Sequence, residues 1–332
     1  MFLKTPWLVP LIILLLAGVV FFASSRPALL QNSPSDSNPS PPIINTKAKG
    51  FLAIKGAFVI IGKSPDGDSV RFKPDDQQLL FRLKNSGRIK VSKDGSVQLR
   101  FEGIDAPELH YGDLEQPLGA KSRDVLLDLI GFKNVQLDNR MVRGSNPPEI
   151  RGVILSQAAE GNGRPISYCI VGKFAEFFED GSRVALTDEI LRQTLNIAML
   201  QNGMAYYTVY SSTPPEQRSY LREVSSSAKA KKLGVWAIDK TSNFTLKNQS
   251  DIDVDGQLIL PKLFRRASSY LRQKDFKGNL KQWLVWTQTQ KQPENDLVQI
   301  GATGQRLSDW LEVRGSSVMF KADVLDAVFV DK

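Results

Sequence analysis

From Pro6 to Ala23 the chain runs PWLVPLIILLLAGVVFFA without a single charge, with Lys4 before it and Arg26 after it. A run of this kind must be buried in a core, span a bilayer or be cut away, and it therefore decides where folding can begin. As a helix it would be about 27 Å long, close to the thickness of a hydrocarbon core. The stretch that follows, SSRPALLQNSPSDSNPSPPIINTKAKG, is dominated by Pro and Ser and has no helical or strand period, which argues against a core helix. Two readings stay open: a membrane anchor, or a signal peptide cut at Ala23-Ser24-Ser25. Lys4 and the terminal amine favour the N-terminus inside, so the rest of the chain is expected outside the cytoplasm, tethered or secreted. Residues 1–25 are thus expected to be signal or anchor, and 26–50 a linker.

One cysteine, Cys169, excludes an intrachain disulfide framework and any Cys-rich zinc site, and one histidine, His110, excludes mechanisms that need two. A catalytic base anywhere other than His110 must then be a carboxylate or a metal-bound water. Cys169 lies in the apolar run ISYCIV and reads as packed and inert, and His110 as a surface loop residue. The formal charge of +8 suits polyanionic partners, nucleic acid or anionic lipid.

Beyond the linker, AFVIIG and DSVRF read as strands around the turn KSPDG. SVQLRFEGI alternates Val97, Leu99 and Phe101 inward against polar partners, the period of one half-buried strand. QPLGAKSRDVLLDLIG reads as a helix capped by Gly131, and NVQLDNR, RGVILSQ and RPISYCIVG as strands, the last two joined by the turn EGNG. Thr187 is placed to cap a helix running to Gly203, and Thr213 to open another as a capping box with Glu216. Strands first and helices late predict an α+β domain on a small closed sheet over 51–236. A polar stretch then separates residues 237–332, a second small α+β region of unassigned role. It holds a basic amphipathic segment, LPKLFRRASSYLRQKDFKG, and β-prone runs WLVWT, LVQIG and VMFKA.

Three separated pieces carry the chemistry. Asp66-Gly67-Asp68-Ser69 sets two acids around a glycine; Arg100 to Glu108 (RFEGIDAPE) sets an arginine before Asp105 and Glu108; Gly163-Arg164 follows the hairpin turn. Asp68 and Asp105 offer hard oxygens for Ca²⁺ or Mg²⁺, the arginines offer forks for phosphate oxygens, and Glu108 is a spare carboxylate for an attacking water. Singly, each has a plainer reading: a solvated turn, a snorkelling strand arginine, a strand exit with acids at a helix start. Together they form the set that phosphodiester hydrolysis needs, and it needs no histidine.

With GDS, LRFEGIDAPEL, QPLGAKSRDVLL, GRPISYCIV, LNIAMLQNGMAYY and SSSAKAKKLGVW in order, residues 55–236 resemble the thermonuclease (staphylococcal-nuclease-like) family. The resemblance implies a five-stranded OB-type barrel with three helices and a Ca²⁺-dependent endonuclease acting on DNA or RNA. It implies Asp68 and Asp105 as calcium ligands with the Ala106 carbonyl, and Asp66 as an outer acid holding a metal-bound water. Arg100 and Arg164 then resemble the phosphate clamps, Glu108 the residue that positions or activates water, and Tyr207 and Tyr210, with Tyr206 before them, aromatics placed against a substrate base. The sequence departs from the family at Ala106 and Ser69, at Asn162 and in an insertion between Asp68 and Arg100. Arg151 stays open as an alternative second clamp. Two rival readings also stay open: a catalytically silent module of this fold that binds nucleic acid or protein, and a basic tail segment lying on anionic lipid.

Overall fold

The computed structural model describes residues 50–331, so the apolar run, with its choice between anchor and signal peptide, and nearly all of the Pro/Ser linker lie outside the described residues. Among the described residues no helix is long and apolar enough to cross a membrane.

The barrel opens with β1 (Phe51–Val59), β2 (Arg71–Pro74), β3 (Val97–Gln98), β4 (Arg100–Phe101) and β5 (Ile104–Asp105). After helix α1 (Gly119–Ile130) come a protruding hairpin, β6 (Lys133–Asp138) and β7 (Met141–Asn146), and the long strands β8 (Glu149–Ala159) and β9 (Pro165–Val171). The sheet runs β3-β2-β1-β8-β9-β4, with a short β10 (Arg183–Val184), reached through the one-turn α2 (Lys173–Glu176), added to the start of β1. Seven strand segments therefore stand where five strands were expected, on the OB-type α+β plan.

The reason lies in SVQLRFEGI. Val97 pairs antiparallel with Phe72 on β2, while Arg100 pairs parallel with Ile166 on β9. One extended stretch thus serves both edges of the sheet, changing partners at Leu99, whose N–H donates to the Val70 carbonyl at 2.9 Å. That hand-over nearly closes the barrel and satisfies edges that would otherwise stay open. Val97, Leu99 and Phe101 are all buried, as their alternation demands.

The single helix expected after Thr187 is two: α3 (Asp188–Arg192) and α4 (Leu195–Gln201). Thr187 accepts from the Ile190 N–H and Thr194 from the Ile197 N–H, so a second capping threonine restarts the chain one turn on. β11 (Tyr206–Tyr207) then pairs antiparallel with β5, setting Tyr206 opposite Asp105, and β12 (Val209–Tyr210) follows. α5 (Pro215–Ala230) begins without a side-chain cap: Pro214, not Thr213, stands at its N-cap, and the Thr213 hydroxyl accepts from the Tyr210 N–H at 3.3 Å and donates to Glu102 at 2.9 Å. A short α6 (Val235–Ile238) follows it.

The C-terminal region contributes β13 (Phe244–Thr245), α7 (Pro261–Arg272), α8 (Leu280–Thr287), β14 (Leu297–Ile300), β15 (Thr303–Arg306), β16 (Leu311–Arg314), β17 (Ser317–Phe320) and β18 (Ala327–Phe329). WLVWT is helical, not extended: Asn279 and Gln282 form a capping box, and Leu280, Trp283, Leu284 and Thr287 are buried at helical spacing. β18 lies parallel to β12, so the two regions share a sheet, and one continuous core runs through both. The basic amphipathic segment is α7, with Leu263, Phe264 and Ala267 buried against protein. Its apolar face is thereby taken, which removes the reading in which this segment lies on lipid.

Candidate active site

Gly67 lets the Asp66–Ser69 turn pass close to α1: a Cβ there would stand 2.1 Å from the Ser122 hydroxyl. The Asp66 N–H donates to the Ser69 carbonyl and the Asp68 N–H to the Asp66 carboxylate at 3.3 Å, which turns both acids toward the barrel mouth. Asp68 is only 5% exposed and accepts from the Ala106 N–H at 3.0 Å, tying the first acidic turn to the strand exit.

Arg100 knots the two pieces together. Its guanidinium donates to Asp68, to Asp105 at 2.8 Å and to the Ile104 carbonyl at 3.2 Å. Burial alone would depress this cation, but the Asp68 and Asp105 carboxylates hold it charged. Glu108 is set by its backbone: its N–H donates to the Gln116 side chain at 3.1 Å, and its carbonyl accepts from the Gln116 N–H at 2.8 Å.

Opposite, the turn Glu160–Gly163 is closed by the Glu160 N–H donating to the Arg164 carbonyl at 2.9 Å. Gly163 has φ +86°, and a Cβ there would meet the Arg88 carbonyl oxygen at 2.0 Å. The turn presents Arg164, whose Nε donates to Glu160 at 2.8 Å. Arg151 points elsewhere, pairing with exposed Asp75.

These pieces meet at a cavity of about 280 Å³. Asp66, Asp68, Glu108 and Glu160 line it, facing Arg100 and Arg164, with Ala106 and Tyr210 on its wall. Asp105 stands behind the wall, 1% exposed, and Tyr207 is buried against the core, where burial pushes its hydroxyl up to about 12. The structure therefore brings Tyr210 to this cavity, but not Tyr207 or Arg151.

Two lining residues come from α7: Lys262 and Arg265. Arg265 donates to Asp105 at 2.7 Å and to Glu108, and Lys262 donates to the Tyr210 hydroxyl at 3.1 Å. Gln116, fully buried, also donates to the Ile259 carbonyl at 2.7 Å, anchoring the approach to α7 beside Glu108. Sequence reasoning missed Gln116, whose part rests on its contacts to Glu108 and Ile259, and missed Lys262 and Arg265 because their only signal was a basic stripe on a helix, Arg265 lying 157 residues from Glu108.

The charges are unevenly balanced. Burial would raise Asp105, but Arg265 and Arg100 override it and hold the carboxyl well below the usual range. Glu108 is raised by burial in spite of Arg265. Asp66 is raised well above its ordinary value by burial and then by the charges of Asp68 and Glu108. Hard carboxylates crowded together in this way have the donor chemistry of a Ca²⁺ or Mg²⁺ site. Among the described residues no three such groups converge as a finished metal site, and Asp105 spends its oxygens on guanidinium groups.

Residues 98–238 match the family described as Staphylococcal nuclease homologue. A probable endonuclease of Arthroderma otae is 25% identical over 259 residues, covering 73% of this chain and 75% of that protein. The family match begins after the Asp66–Ser69 turn, which enters the site through the fold.

Proposed function

We propose that the chain, whose residues 98–238 match the staphylococcal nuclease homologue family, is an endonuclease hydrolysing phosphodiester bonds of DNA or RNA. The observation that carries this reading is the Arg100 knot: one guanidinium joins Asp68 and Asp105 beside Glu108, and Arg164 faces them across the same cavity.

In this reading the forks of Arg100 and Arg164 bind the non-bridging oxygens of the scissile phosphate, where negative charge builds in the transition state. Glu108 accepts a proton from a water as its oxygen attacks phosphorus in line, and the P–O bond on the far side breaks, the leaving oxygen taking a proton from solvent. Burial raises Glu108 in the direction that makes a carboxylate a better base near neutrality. Asp68 and Asp105 with the Ala106 carbonyl, and Asp66 as an outer acid, would hold Ca²⁺, which would polarise a phosphoryl oxygen. Tyr210 on the cavity wall is a surface for a base to stack on. The uncharged run Pro6–Ala23 supports placing the enzyme outside the cytoplasm, anchored or secreted.

The test is to incubate the full chain with plasmid DNA and with RNA, in Ca²⁺ and in chelator. Products are expected only with the metal, and Arg100→Ala should lower kcat by roughly 100-fold or more. Absence of metal-dependent products from the wild type would refute the enzyme. A second reading, a silent module that binds without cutting, draws support from Arg265 occupying both Asp105 and Glu108. It requires salt-sensitive binding with no product.

A further inference from the structure

We infer that α7 is a wall of the nucleic-acid site and that Lys262 and Arg265 bind the sugar-phosphate backbone of a single strand next to the scissile position, an inference that rests on the function proposed above.

The barrel by itself lines the cavity with Asp66, Asp68, Glu108 and Glu160, with Asp105 just behind. Its own cations, Arg100 beside Asp68 and Asp105 and Arg164 beside Glu160, are the two assigned to the scissile phosphate, which leaves the barrel, among the described residues, no further cation on this wall for a neighbouring phosphate. A polyanion would meet a wall on which acids outnumber cations, and like charges there repel. Two cations one helical turn apart on α7 offset that excess, bringing the cations that line the cavity to four against its four lining acids.

Each is held so that it faces the cavity. Lys262 is 10% exposed, its ammonium 4.9 Å from the Tyr210 ring centre and 4.5 Å from that of Phe329. Its nearest carboxylate, Asp296, is 3.9 Å away, so aromatic faces rather than a tight ion pair hold it in place. Arg265 keeps 22% of its side chain exposed while bridging Asp105 and Glu108, and a planar fork of five donors has more N–H groups than those two acids use.

The helix under them is fixed on both sides. Arg266 donates to Asp296 at 2.7 Å, Arg272 to the Tyr111 carbonyl at 2.6 Å, and Tyr111 stacks edge-on against Phe264. Gln116 ties the segment before α7 to the backbone of Glu108. A rigid support of this kind preserves the position of the two cations in the absence of substrate.

The experiment measures binding of a short fluorescent oligothymidylate to the full chain in chelator by anisotropy, over a series of salt concentrations. Lys262→Met keeps the stem on its two rings, and Arg265→Gln keeps hydrogen-bonding capacity. Each should weaken binding about tenfold and flatten the slope of log K against log salt by about 0.7, the loss of one phosphate contact on a single strand. Arg265→Lys should keep the slope, and Arg143→Ala, on the distant β6–β7 hairpin, should change neither quantity. Unaltered affinity and slope in folded Lys262→Met overturns the proposal, whether or not Arg265→Gln folds, and so does a wild type that fails to bind. Cleavage is scored separately in Ca²⁺. Binding with the expected slopes but no product would sink the nuclease reading and leave this one standing, whereas cleavage with unaltered slopes would do the reverse.

Discussion

Arg164 and Arg151 start almost alike, both basic residues at strand starts, and only their surroundings separate them. Arg151 forms a pair with Asp75 in which both side chains are largely in water, an arrangement worth little. Arg164 sits on the cavity wall across from Arg100. Arg164→Ala is therefore expected to lower kcat/KM by roughly 100-fold, while Arg151→Ala stays within about twofold of wild type. Steady-state kinetics on both variants decides it, and a larger loss in the Arg151 variant would reverse the assignment. Glu108→Gln keeps the shape of the side chain and its backbone ties, so it should fold normally and lose turnover by roughly 100-fold or more. Full turnover in that variant would take the base role away from Glu108.

At the scale of elements, local chemistry decided starts and stops more firmly than lengths. Thr187 caps its helix as its position suggests, yet Thr194 caps again and divides the segment. Thr213 looks like the start of a capping box and is not, because the helix starts one residue later, with Pro214 at the N-cap, and the Thr213 hydroxyl accepts from the Tyr210 N–H and donates to Glu102. That contact buries a carboxylate: Glu102 is raised above its ordinary value by burial, with the Thr213 hydroxyl pulling the other way. A carboxyl raised on folding favours the folded state in its protonated form. Its contribution is present below the usual glutamate range and is lost as pH climbs through the higher folded value. Glu102→Gln should therefore gain thermal stability relative to wild type as pH rises from about 4 to 7, and a constant difference in melting temperature over that range would contradict the account. Gly163→Ala should destabilise the hairpin more than an ordinary turn glycine, since it meets both a positive φ and the Arg88 carbonyl. Chemical denaturation would show it as a lowered midpoint, and an unchanged midpoint would mean that the turn can relax.

At the scale of the whole molecule, the C-terminal region is joined to the barrel region through a second sheet, β12-β18-β14-β15. β18 completes the sheet beside β12, Lys229 and Arg222 on α5 pair with Asp323 and Asp326, and the Tyr206 hydroxyl donates to Asp239 at 2.8 Å. Ending the chain after residue 236 is expected to lower the melting temperature by about 10 °C or more, each lost kcal/mol being worth roughly 2–4 °C at this size. A truncated chain that melts like the full one would show that the shared sheet adds nothing. The sequence alone determined what is local: Val97, Leu99 and Phe101 had to face inward, and the spacing from Arg100 to Glu108 had to set an arginine and two acids at one strand exit. It determined the chemistry available as well, since the three motif pieces offered only carboxylates and arginines and the chain has one histidine. It left undecided how far one strand could serve two edges, which tyrosine reached the cavity, and that a helix from the far end of the chain would supply Lys262 and Arg265. Side-chain periodicity reports burial within one element, whereas the partner across a cavity is chosen by chain closure and the balance of charge, and both exist only once distant segments have met.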